Sequence, residues 1–251
     1  MTNASRLSVE HLIEPRGILA VRPRLSWALP PGLPAQTGSR LQVRGGGIDW
    51  DSDMVDSGLH VLVPYAGPPV PAATRVEWRV MARTDAGDLS WSEWSAWETG
   101  IGSGDWTARW ISPVGEAPTA RSTRAPIVFR TTFDLDELPG RARAYATACG
   151  VYELFLNGAR LGDAELTPGF TSYRRRMQVQ VVDALPALQR GENVIVAIVS
   201  DGWWRGKVGF TQRVDSFGRH LALLAEIRAD GRPVAVTDET WAWGTGRMHN
   251  R

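Results

Sequence analysis

TRVEWRVMARTDAGDLSWSEWSAWET, residues 74–99, decides the fold class. Its first part alternates, with Trp78, Val80 and Ala82 on one side and Arg79, Met81 and Arg83 on the other. A period of two is the signature of a half-buried strand. DAGD at 85–88 is a turn signal, and LSWSEWSAWET returns as the second arm of a hairpin. On an extended strand Trp91 and Trp97 share a face and Trp94 lies opposite. Tryptophan rings set against a row of arginines predict a cation–π ladder on the outer face of a sandwich, at about 0.5–1 kcal/mol per exposed contact.

Working outward, RLSWALP (24–30) and SRLQVRGG (39–46) supply earlier short strands, and residues 1–104 read as a small β-sandwich. GGG at 45–47 is not followed by a helical pattern and reads as a loop. The glycine-rich TGIGSGDW (99–106) joins this unit to a second, at 105–251. There IVFRTTFDL places Phe129, Phe133 and Leu135 on one face. RARAYATACG, VYELFLNGARLGD and RRRMQVQVVDA follow, with a hairpin turn expected at Asn157-Gly158. Arg174-Arg175-Arg176 reads as a solvated or salt-bridged start of a strand. VIVAIV (194–199) is apolar on both parities, as expected of a central strand covered on both faces. A last hairpin turns at Asp230-Gly231. The fold expected is all-β, two β-sandwiches, the second a jelly roll.

Composition narrows function by exclusion. The net charge of +1 over 251 residues lacks the electrostatic footprint of nucleic-acid binding. Lys207 is the only lysine, and the arginine excess follows an Ala-, Gly- and Pro-rich composition, so it does not mark an anion site. No run approaches the length of a membrane span, and MTNASRLSVEHLIEPRG lacks the parts of a secretory signal. A cytoplasmic protein, without membrane or nucleic-acid partners, is expected. The single cysteine, Cys149, reads as a small buried side chain, because no histidine follows at a spacing that suggests a base. The four histidines have no zinc spacing, and GxSxG, P-loop and dinucleotide motifs are missing. Tryptophan stands out, with 12 residues. Its flat apolar face suits both β-sheet packing and sugar rings. The residues alone lead to two sandwiches with a possible carbohydrate connection.

The strings DWTARWISP (105–113), VFRTTFDL, ATACGVYELFLNGARLGDAELTPGFTSYRRRMQVQVVD and GENVIVAIVSDGWWRGKVGF resemble the N-terminal region of bacterial α-L-rhamnosidases, glycoside hydrolase family 78. PRLSWAL, VDSG, VPYAGPP, VEWRV and WSEWSAWETG look like the fibronectin type III-like domain that precedes it. The resemblance covers essentially the whole chain and implies a rhamnosidase jelly roll at 105–251. It also implies that the catalytic carboxylates lie on an (α/α)6 barrel beyond the TWAWGTG region (240–246). An inverting glycosidase needs two carboxyls about 6.5–9.5 Å apart, and no position of this sequence matches either. The chain is therefore expected to be the non-catalytic portion of such an enzyme and not to hydrolyse rhamnosides alone. Its expected partner is a catalytic barrel on the same or a companion chain. A free-standing module for rhamnose-containing glycans and a scaffold or interaction protein are the alternatives.

SDGWWRGKVGF (200–210) is where these readings meet. The resemblance implies that this loop faces the barrel, so Trp203 and Trp204 pack on it, line the mouth of its sugar cleft, or belong to the core. Arg205 offers planar donors for a carboxylate or sugar hydroxyls. No cofactor is required, but some relatives of the domain hold L-rhamnose through calcium, which takes six to eight oxygen ligands. Asn157, Asp163, Glu165 and Asp201 are the candidates, each with ordinary turn chemistry as its plain explanation.

Overall fold

The computed structural model describes residues 3–114 and 124–246. The chain divides into two compact units, Met1–Asp105 and Trp106–Arg251. Among the described residues no helix is long and apolar enough to cross a membrane.

The first unit contains β1 (Ser5–Val9), β2 (Arg24–Ala28), β3 (Gln36–Gly45), β4 (Ile48–Asp51), β5 (Val55–Asp56), β6 (Val63–Pro64), β7 (Arg75–Thr84), β8 (Gly87–Asp88) and β9 (Ser95–Glu98). One sheet runs β1-β2-β6; the other centres on the antiparallel pair β3 and β7, with β4 and β5 along the far side of β3 and β8 and β9 along that of β7. Strand β7 alternates without a fault, burying Val76, Trp78, Val80 and Ala82. Val76, Trp78 and Val80 pack with Leu25 and Trp27 from the facing sheet. Each fully buried aliphatic side chain contributes about 1.5–3 kcal/mol. A polar group so deep needs a partner: the Trp27 indole donates to buried Gln36 (2.9 Å), whose amide donates to the Ser57 and Leu59 carbonyls.

The ladder on the outer face forms, with a different tryptophan parity. Arg44 and Arg79 stack on Trp94 at 3.9 and 4.5 Å, and Arg79 and Arg40 stack on Trp91 at 4.5 and 5.9 Å. Trp91 therefore joins Trp94 outside, and only Trp97 enters the core. The count fails because the backbone leaves strand geometry before β9 begins. Buried Ser92 exchanges bonds with Val80 there: its hydroxyl accepts the Val80 amide (3.0 Å) and its own amide donates to the Val80 carbonyl (2.8 Å). Period-two counting does not carry across such an interruption.

The second unit contains β10 (Ile127–Leu135), β11 (Ala142–Cys149), β12 (Val151–Leu156), β13 (Ala159–Arg160), β14 (Gln180–Asp183), β15 (Gly191–Ser200), β16 (Ala222–Ala229), β17 (Arg232–Val236) and β18 (Ala242–Thr245). A five-stranded sheet, β13-β12-β15-β10-β18, packs on a four-stranded one, β14-β11-β16-β17. Both expected tight turns form: Asn157-Gly158 and Asp230-Gly231 have positive φ at both positions, as a two-residue hairpin loop of this type requires. Arg174–Arg176 lie exposed in a turn, four residues before β14 begins at Gln180, because the chain first folds back on itself with Arg175 and Arg176 amides bonded to Ser172.

Strand β15 is central, between β10 and β12, but only one face is fully buried. Ile195, Ala197 and Val199 enter the core, while Val194, Val196 and Ile198 are half-buried. Their outward branching fits the pleat, with Val196 opposite Phe155 and Ile198 opposite Val128. The strand buried on both faces is β11, whose alanines 142, 144, 146 and 148 face the core and whose Arg143, Tyr145 and Thr147 are covered on the other side. Arg143 is held there by Asp183 at 2.8 Å. Cys149 at the end of β11 is partly buried, and burial pushes its thiol up to about 11, the opposite of an activated nucleophile.

Candidate functional site: an aromatic end of the jelly roll

After Ser200 the chain leaves the sandwich through a single helical turn, Gly202–Arg205. Arg205 is only 2% exposed. Its Nε donates to Asp201 Oδ1 at 2.6 Å and its Nη1 to the Arg219 carbonyl at 3.2 Å. The Arg205 carbonyl accepts the Asp215 amide at 3.0 Å, and Asp215 pairs with Arg124 at 2.7 Å. Arg205 thus points inward rather than out to a ligand. It ties the turn to the returning chain at 215–219, and the acceptors of Nε and Nη1 offset the cost of burying the guanidinium.

That frame fixes the two tryptophans. Trp204 packs against the core and donates its indole N–H to the His220 carbonyl at 3.0 Å. Gly218 allows the approach: a Cβ there would lie 2.5 Å from the indole. Trp203 lies outside that core and meets Phe170 at 5.9 Å between ring centres. Phe170 also contacts Tyr173 (5.9 Å) and Phe217 (6.0 Å), and Tyr173 stands edge-on to Trp204 (5.5 Å) and Phe217 (4.9 Å). Tyr173 is pinned by its hydroxyl to the Gly169 carbonyl at 2.9 Å, and burial raises its phenol pKa. Phe170 is 55% exposed, and Leu166, four residues before it, is 60% exposed. Five rings from three chain segments so form one cluster, each pair in the tilted or edge-on geometry aromatic quadrupoles favour.

Of the residues singled out in sequence, the structure brings Trp203, Trp204, Arg205 and Asp201 together. It adds Phe170, Tyr173 and Phe217, which the sequence reading does not single out. The first two lie in LTPGFTSY (166–173), a string already notable, but their meeting with GWWRG depends on contacts some thirty residues away along the chain. The calcium candidates are not brought together. Asn157 accepts the Val194 amide and donates to the Ala187 carbonyl and Asn193. Asp201 lies beyond the other end of β15, on the order of 20 Å away at a strand's rise per residue. Asp163 is exposed in the loop after β13, and Glu165 pairs with Arg160 at 3.2 Å. Among the described residues no three His, Cys, Asp or Glu side chains gather as a metal-binding group.

Comparison with known proteins places both units. Residues 138–251 match the α-L-rhamnosidase N-terminal domain, and residues 4–103 match the Rha78A-like N-terminal immunoglobulin domain. The chain belongs to the N-terminal region of the family 78 α-L-rhamnosidases. The α-L-rhamnosidase of Streptomyces avermitilis is 26% identical over 92% of this chain and 40% of its own length. One from Formosa agariphila is 28% identical over 96% of this chain and 28% of its own. The crystal structure of the Aspergillus terreus α-L-rhamnosidase superposes with a TM-score of 0.86 at 28% identity, covering 97% of this chain and 29% of that one. This rhamnosidase N-terminal region therefore spans well under half the length of these relatives and matches N-terminal domains of the family. The immunoglobulin and fibronectin type III sandwiches share one architecture, so the first unit has the build expected of it.

Proposed function

We propose that this chain supports the catalytic barrel of an α-L-rhamnosidase, on the same or a companion chain, with the aromatic end of its jelly roll as the docking surface. The observation that carries the reading is the pairing of exposed Phe170 and Leu166 with a rigid backing, the buried Arg205–Asp201 turn. An apolar surface held in fixed shape suits a permanent contact, since little ordering cost remains to be met on association. Hydrolysis of terminal α-L-rhamnosides then belongs to the barrel, and the N-terminal region contributes shape and stability.

The test has two parts. The purified chain, of verified mass, is assayed on 4-nitrophenyl α-L-rhamnopyranoside, and no turnover above background is expected; turnover would overturn the non-catalytic reading. A family barrel supplied as a separate polypeptide is then melted with and without the chain. A docked companion raises the barrel's Tm through linkage, and Phe170→Ser with Trp203→Ser removes the rise. An unchanged Tm with the parent chain rejects the docking surface.

A further inference from the structure

One side of the second unit carries a cleft whose chemistry the docking role leaves unused. Among the described strands, β18 ends the five-stranded sheet and pairs with β10. Facing it, the edge of the four-stranded sheet changes hands. Where β17 ends, Thr237 continues the pairing to Ala225, and then Ile111 exchanges two 2.9 Å bonds with Leu223. Between these edges lies a cleft of about 340 Å³. Its floor is Phe129, Ile111 and Trp241, all members of the core. Trp110 and Trp243 line it as well, 46% and 41% exposed, with Arg109, Asp238 and Glu239 beside them. The strings DWTARWISP and TWAWGTG, far apart in sequence, meet here, and no residue is shared with the aromatic cluster.

We infer that this cleft binds a neutral sugar ring of a glycan. The size is that of a small-ligand site. Two half-exposed indoles offer flat apolar surface, which suits the C–H faces of a pyranose and holds little for a strongly hydrated ion. Both signs of charge line the same space, so a net anion or cation meets a repelling partner. Hydroxyl groups, donor and acceptor at once, can satisfy carboxylates and a guanidinium together. The site is also preformed. The Trp241 indole donates to the Val236 carbonyl at 2.7 Å, and Asp238 Oδ1 accepts the Thr240 amide and hydroxyl at 2.9 and 2.6 Å, fixing the turn that leads into β18. This extends the proposed accessory role from support to substrate capture; the extension rests on that role, whereas binding rests on the cleft alone.

The experiment is saturation-transfer NMR on the full chain with methyl α-L-rhamnopyranoside and methyl β-D-glucopyranoside as separate probes. Transfer from protein to ring protons of at least one probe is expected, with a millimolar Kd. Trp110→Ala and Trp243→Ala should each weaken it about tenfold or more, and Trp203→Ala should leave it unchanged. Which probe responds separates a rhamnose site from a general pyranose site. Should either tryptophan variant fail to fold, Arg109→Ala with Glu239→Gln, both at exposed positions, alters the same lining. No transfer from either probe up to about 50 mM overturns the inference, as does binding that survives these changes or disappears with Trp203→Ala. Rhamnoside turnover plays no part in the readout, so failure here leaves the docking proposal standing.

Discussion

Glu226, in the middle of β16, reaches Thr107 across 119 residues of sequence: its Oε2 accepts the Thr107 amide at 2.9 Å and the next amide, that of Ala108, at 3.1 Å. Its other oxygen takes the Arg228 Nε, and the side chain has no solvent exposure. A buried carboxylate is stable only with its acceptor capacity filled, and here it anchors the segment that enters the second unit. That segment goes on to line the cleft at Arg109–Ser112. Glu226→Ala should cost about 3–5 kcal/mol, because two amides and a guanidinium lose their common acceptor in the interior. Denaturant unfolding gives the magnitude, and hydrogen exchange at the Thr107 and Ala108 amides should accelerate. A cost below about 1 kcal/mol would show the segment held by other contacts.

The adjacent tryptophans of GWWRG should behave differently. Trp204→Ala removes a core-packed ring and its bond to His220, and should destabilise the chain by about 2–4 kcal/mol. Trp203→Ala, which touches Phe170 outside that core, should cost less than about 1 kcal/mol. Urea midpoints of the two variants decide the matter, and equal costs would refute the assignment of one ring to structure and the other to surface.

The arginine–tryptophan ladder is a stability element. Trp94 receives two guanidinium groups, so Trp94→Ala should cost about 1–2 kcal/mol, the sum of two contacts. Arg79→Lys keeps the charge but loses the planar group shared by Trp91 and Trp94. It should recover less than half of the loss seen for Arg79→Ala. Thermal melts of the three variants are sufficient.

One pH effect follows from Asp51. Its hydrogen bond from Arg40, at 2.8 Å, and a second from Gln42 outweigh partial burial and hold its carboxyl down at about 2. A carboxylate whose pKa is lower folded than unfolded adds stability above the unfolded value, about 3.9, and loses it as pH falls through the folded one. Both partners are partly solvent-exposed, so the contribution is about 1 kcal/mol or less after screening. The Tm gap between the parent and Asp51→Asn should be widest above about pH 4 and close toward pH 2. A gap that persists at pH 2 would mean that Asp51 acts through packing alone.

What could be read along the chain was whatever depends on neighbours within a few residues. The alternation of β7, the turns at Asn157-Gly158 and Asp230-Gly231, and the central place of β15 all rest on local backbone preference and period. The tryptophan parity did not survive, because Ser92 takes its bonds from Val80 in another strand and breaks the count. The expectation of two covered faces for β15 fails as well: its unbroken apolar run has one fully buried face, whereas β11, whose alanines alternate with Arg143, Tyr145 and Thr147, is covered on both.

The sequence by itself determined the two all-β units and, through strings such as YELFLNG and DGWWRG, the family. Tertiary structure alone decided the sites. It turned Arg205 inward onto Asp201, gathered Phe170, Tyr173 and Phe217 around Trp203 and Trp204, set Asn157 and Asp201 at opposite ends of β15, and brought Trp110 to the cleft of Trp243. The physical reason is that strands are specified by short-range periodicity, whereas a site is specified by which strand ends and sheet edges the packed core makes adjacent. That adjacency links residues tens to more than a hundred positions apart, and no local pattern encodes it.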